Sequence, residues 1–157
     1  MSIEKILQGT HGIIPQGALE KKLASGKKLV IKLGADPTAP DLHLGHAVVL
    51  KKMRQFQDMG HHVVFLIGDF TARIGDPTGK SKTRPPLSED EIVRNTATYF
   101  EQVSKILDPS KMSIRYNSEW FFQFSSKDML KLCAKVTLAR LIEREDFANR
   151  IAEQQPI

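Results

Sequence analysis

Apolar positions along this chain fall into two kinds of run. Short, partly β-branched blocks, KKLVIKLGAD at 27–36 and HHVVFLIGD at 61–69, have the length and make-up of buried strands. Between them, Leu44, Ala47, Val48, Met53, Phe56 and Met59 recur at three-to-four spacing. That period predicts a helix over 44–59 with one apolar face, closed by Gly60 as a left-handed cap. Strand, helix and strand joined by short connections make a right-handed parallel crossover.

The same logic carries on downstream. Ser88 and Glu91 form a capping box ahead of a predicted helix over 89–107. Its stripe is Ile92, Val93, Thr96, Tyr99, Phe100, Val103, Ile106 and Leu107, and Asp108-Pro109 stops it. MSIRYN at 112–117 predicts a third strand. Ser125 and Asp128 suggest a second box opening a short helix, and Thr137 caps a final charged helix, LARLIEREDFANRIAEQQ. Upstream, residues 3–8 and 16–25 read as short helices, with Gly26 as the stop. The expected architecture is α/β: a helical segment at 1–26, then a parallel sheet with flanking helices over 27–157. About three strands are predicted where a doubly wound sheet has five or six, so the chain reads as the first part of a longer domain.

Composition narrows the class. Of 157 residues, 41% are hydrophobic and 26% charged, which fits a folded soluble domain and excludes a disordered one. No window approaches the roughly 20 continuous apolar residues of a membrane-spanning helix, and the first residues do not read as a secretory signal. Cys133 is the single cysteine, so a reducing, cytoplasmic setting is expected. The formal charge of +5 permits an anionic partner without naming one. No helix-turn-helix, zinc-finger or RNA-recognition signature is found.

Two polar segments carry the candidate chemistry. GADPTAPDLHLGH, residues 34–46, lies between the first strand and the helix, where open parallel sheets bind ligands and helix amides attract phosphate. His43 and His46 are three apart in the first turn and can face one side. On spacing alone they serve equally well as helix caps or as donors to phosphoryl oxygens, and no third residue nearby completes a metal site. Gly45 removes a side chain where a ligand's bulk would press. The second segment, GDPTGKSKTR at 75–84, falls one residue short of a P-loop, because Gly75 comes where the pattern no longer needs it. It offers Asp76 in a turn and three cations, Lys80, Lys82 and Arg84, able to close over a polyphosphate. KMSIR, residues 111–115, lies in a predicted strand.

DPTAPDLHLGH resembles the HIGH signature of class I aminoacyl-tRNA synthetases, with Leu44 in the isoleucine position, and the GDPTGK turn resembles the tyrosyl-tRNA synthetase family in particular. The likeness runs from about residue 28 to the last residue. It implies the first half of a Rossmann-like catalytic domain. It also implies activation of tyrosine with ATP and Mg2+, transfer to tRNA(Tyr), and a cytoplasmic homodimer. By the same resemblance, His43 and His46 stabilise the α-phosphate transition state, and Lys80 and Arg84 grip the departing pyrophosphate. Gly34, Asp36, Thr38 and Gly45 join the two histidines around the nucleotide, and Asp76 receives the substrate's ammonium group. Family members carry a tyrosine two places before the glycine of the motif to help bind the substrate phenol; here that place is Lys32, which marks a subtype. The family's Tyr-x-x-x-Gln-x-x-Asp helix and KMSKS loop have no counterpart here, since KMSIR has Ile114 and Arg115 for lysine and serine. The chain alone is therefore expected to bind ATP weakly with little turnover. The alternatives left open are a non-catalytic nucleotide-binding relative, another HxGH nucleotidyltransferase, and a tryptophanyl-tRNA synthetase.

Overall fold

Three parallel strands organise the computed structural model, which describes residues 3–74 and 86–155. They are β1 (Val30–Ala35), β2 (His62–Ile67) and β3 (Met112–Tyr116), in the order β1-β2-β3. Leu33 pairs with Phe65, and Phe65 with Ile114. Burial along β2 alternates strictly, with Val63, Phe65 and Ile67 almost inaccessible and the residues between them half-covered. One face of the sheet is thus packed, and the core lies there. Leu50 and Met53 of α3 (Leu44–Asp58) meet the central strand, as do Tyr99 and Val103 of α5 (Tyr99–Ser104), with Leu107 and Met112 closing the cluster.

Ahead of the sheet stand α1 (Ile3–Leu7) and α2 (Ala18–Ala24). The first is fastened to α3: Ile6 is buried, and Lys52 Nζ donates to the carbonyls of Ile6 and Gln8 at 2.9 and 2.8 Å. Gly60, at φ 90°, supplies the left-handed turn that ends α3, a conformation that costs glycine nothing. Gln57, wholly buried, joins α3 to the entry of β3. Its amide donates to the carbonyls of Asp108 and Lys111, and its oxygen accepts from the Asp108 amide at 2.8 Å.

Several expectations change. Leu44 and Val48 are 86% and 71% exposed, so the predicted α3 stripe holds at Met53 and Phe56 but not at its start, where Leu50 is the residue turned inward. The helix predicted over 89–107 is broken into α4 (Glu89–Thr96) and α5, with Val93 and Phe100 outside. At the break, Thr96 Oγ1 bonds back to the Ile92 carbonyl, and the side chains that follow reach sideways to the 37–42 loop. The capping boxes at Ser88 and Ser125 form as read, the second opening α7 (Ser126–Cys133). A one-turn helix, α6 (Ser118–Phe121), follows β3 unannounced. The final charged helix divides into α8 (Leu138–Ile142) and α9 (Glu145–Ala152), because Arg144 is extended at ψ 127° and lays its guanidinium over the Phe147 ring.

Candidate functional site

The carboxyl ends of β1 and β2 and the amino end of α3 enclose a cleft of about 660 Å³. Lys32, Gly34, Asp36, Thr38, His43, Gly45 and His46 all line it, so every described residue singled out in the sequence meets at one place. Asp76, Lys80 and Arg84 lie outside the described residues. KMSIR is built into β3 and its approach, where Arg115 pairs with Glu119, and none of it lines the cleft.

The loop carrying the proline-rich lead-in is held from the far side by α4 and α5. Asn95 donates to the Pro37 carbonyl at 2.8 Å, the Tyr99 hydroxyl to Ala39 at 2.6 Å, and Gln102 Nε2 to Pro40 at 2.8 Å. The same glutamine accepts from the Leu42 amide at 2.7 Å. Two prolines leave this stretch few amides of its own, so its carbonyls need outside donors. Burial raises the Tyr99 phenol above its ordinary pKa, partly offset by that hydrogen bond, and it stays a neutral donor.

His43 is the N-cap of α3. Its Nδ1 accepts from the Gly45 amide at 3.1 Å, and the His43 amide donates to His46 Nδ1 at 3.2 Å. Both rings therefore cap the helix end while lining the cleft, with their centroids 4.1 Å apart. Burial, then the neighbouring His43, holds the His46 imidazole below its ordinary pKa, which favours the neutral ring.

Lys32 and Gly34 share a face of β1, and the ammonium group lies over the glycine: a Cβ there would stand 2.7 Å from Lys32 Nζ. Beneath runs a network that the sequence did not announce. Thr71 Oγ1 donates to Asp36 Oδ1 at 2.8 Å and accepts from Asn117 Nδ2 at 3.0 Å, while Asn117 Oδ1 accepts from the Phe70 amide at 2.8 Å. Gly68 is required where it is, since any Cβ would collide with the Asp36 carboxylate. Its amide is spent on the Ala35 carbonyl at 2.9 Å. The Asp36 side chain is in this way a fixed part of the floor. Among the described residues, no cluster of three or more His, Cys, Asp or Glu is placed to hold a metal ion.

A parallel α/β sheet with its cleft at the carboxyl ends of the strands, opened by a helix start bearing H-x-G-H, defines a Rossmann-type unit of the nucleotide-binding class. Within that class the chain belongs to the family described as tRNA synthetases class I (W and Y), whose model matches residues 24–157.

The chain is 58% identical to the tyrosine–tRNA ligase of Xylella fastidiosa (strain Temecula1), covering 99% of this chain and 37% of that protein. It is 57% identical to the tyrosine–tRNA ligase of Xanthomonas axonopodis pv. citri, at 99% and 39%. It thus spans roughly two fifths of the length of these curated relatives. In fold it is similar to a C-terminally truncated mitochondrial tyrosyl-tRNA synthetase of Aspergillus nidulans, with a TM-score of 0.79 at 22% identity over 99% of this chain and 47% of that one. It is also similar to the Archaeoglobus fulgidus tyrosyl-tRNA synthetase complexed with L-tyrosine, with a TM-score of 0.64 at 20% identity over 87% and 42%.

Proposed function

We propose that this chain supplies the ATP side of the active site of a tyrosine–tRNA ligase, which activates tyrosine to tyrosyl-adenylate and passes it to tRNA(Tyr). The observation that carries the proposal is the meeting of His43, Gly45 and His46 with Gly34, Asp36 and Thr38 around one cleft; the high identity to curated tyrosine–tRNA ligases supports the choice of amino acid.

The chemistry follows from the groups present. The tyrosine carboxylate oxygen attacks the α-phosphorus of ATP, the bond to the β-phosphate bridging oxygen breaks, and pyrophosphate leaves. A hydroxyl of the terminal tRNA ribose then attacks the adenylate carbonyl and AMP departs. The first turn of α3 contributes a dipole equivalent to roughly half a positive charge. His43 and His46 add side-chain donors where negative charge grows on the phosphoryl oxygens, and each such preorganised donor is worth about 3–4 kcal/mol. Lys80 and Arg84 are assigned to the pyrophosphate, Asp76 to the tyrosine ammonium group, and Lys32 to the amino-acid side of the cleft. Mg2+ bound to the nucleotide would neutralise part of its phosphate charge. The full-length enzyme is further proposed to work as a cytoplasmic homodimer.

ATP–pyrophosphate exchange with each amino acid in turn tests the assignment. Exchange in the full-length enzyme should depend on tyrosine. Stimulation by tryptophan alone would sink the choice of substrate, and exchange on adding a phosphorylated acceptor but no amino acid would favour a different nucleotidyltransferase.

A further inference from the structure

We infer that Gly45 is a positioning residue: its missing side chain lets the His43 ring fold back onto the helix end, so that main-chain amides fix both imidazoles as Nε2–H donors. The inference rests on the reading of this cleft as the ATP side of an activating site, and it explains how that side is prepared before ATP arrives.

A backbone N–H can only donate. His43 Nδ1 lies 3.1 Å from the Gly45 amide, and His46 Nδ1 lies 3.2 Å from the His43 amide. Each Nδ1 must therefore be bare, and a neutral ring then carries its proton on Nε2. Both residues line the cleft, so the nitrogen left for a ligand is a donor in each case. Without these contacts each ring is free to carry its proton on either nitrogen, and half the arrangements present a lone pair to the phosphate. The caps remove that choice.

Glycine is needed for this arrangement and not for the backbone. Gly45 lies in the first turn of α3 and is absent from the positive-φ positions, which include Gly9, Gly17, Gly26 and Gly60. Glycine is the poorest helix former after proline, so its presence there has another cause. A Cβ at residue 45 would stand 2.9 Å from Cε1 and 3.0 Å from Nδ1 of His43, closer than real contacts allow. The ring would have to shift from its seat on the amide. The space that the sequence assigned to the ligand is taken first by the neighbouring histidine.

The test is long-range proton–nitrogen correlation NMR on the 157-residue chain with 15N-labelled histidine, above the pH at which histidine titrates. His43→Asn and His46→Gln assign the signals. In the unsubstituted chain, Nδ1 of both residues should show the shift of a bare nitrogen and Nε2 that of a protonated one. Gly45→Ala should move the His43 pair toward averaged values and leave His46 locked, with no loss of the folded chain's melting temperature, because alanine's better helix propensity offsets the lost cap. Averaged shifts in the unsubstituted chain would overturn the inference without any variant, as would Gly45→Ala leaving His43 unchanged. Adding saturating Mg2+-ATP to the full-length enzyme, labelled in the same way, separates the two readings: if the tautomers are as stated but ATP moves neither Nε2 signal, the activating role fails while the positioning of the rings stands.

Discussion

At the scale of single residues, the histidine pair was the most legible part of the site, because two chemically able side chains sit three apart at a place that topology marks for ligands. Of the alternatives that spacing leaves open, the cap is seen at Nδ1 of both rings, and the donor role is the one proposed above for Nε2. Replacing both His43 and His46 by alanine in the full-length enzyme should slow adenylate formation far more than it weakens tyrosine binding, because the contacts strengthen only as charge develops; pre-steady-state rates beside a tyrosine dissociation constant measure the split. His46 also ties stability to pH. Its pKa is lowered in the folded protein, so below about 6.5 the unfolded chain takes up the proton first. That contribution is complete above pH 6.5 and is lost as the pH falls through that value toward the folded pKa. Urea unfolding midpoints should drop between pH 7.5 and 5.5, and His46→Gln should flatten part of the slope. Thr71, Gly68 and Asn117 were not legible. Their roles depend on Asp36, 35 residues from Thr71, and on β3 bringing Asn117 within reach of Thr71 across 46 positions.

At the scale of elements, capping boxes were read correctly where they are local: Ser88 with Glu91 and Ser125 with Asp128 need only their own turn. The long helix over 89–107 failed because its apolar period continues unbroken through a point where the backbone does not. Asn95, Tyr99 and Gln102 leave that surface to bond the 37–42 loop, a demand that no periodicity encodes. Tyr99→Phe keeps the packing and removes one hydrogen bond to the Ala39 carbonyl. It should cost about 1 kcal/mol in urea unfolding and raise the KM for ATP. Gln57→Leu removes the hydrogen bonds to the Asp108 and Lys111 carbonyls and strands the Asp108 amide at the α3–β3 junction, and a loss of about 1–3 kcal/mol is expected in the same measurement.

Over the whole molecule, packing is uneven. The sheet, α3 and α5 form one close core, whereas Phe122, Leu130 and Leu138 farther along are 63%, 71% and 65% exposed. Parallel strands and the cleft's position were predictable from alternation of strand and helix, but which face of each helix turns inward was not, because apolar residues are plentiful on both. Phe65→Ala should therefore cost about 3–5 kcal/mol, while Leu130→Lys should change the unfolding free energy by less than about 0.5. A large loss for the leucine would show that the core extends into the last helices. The grip of Gln102 on Leu42 reaches across 60 residues of sequence. A chain made from its amino end emerges with the histidine turn long before the glutamine that holds its lead-in. On the ribosome the histidine turn can close on its own caps, but the loop leading into it lacks this tether until α5 is synthesised, so the approach to the cleft is completed later than the turn itself.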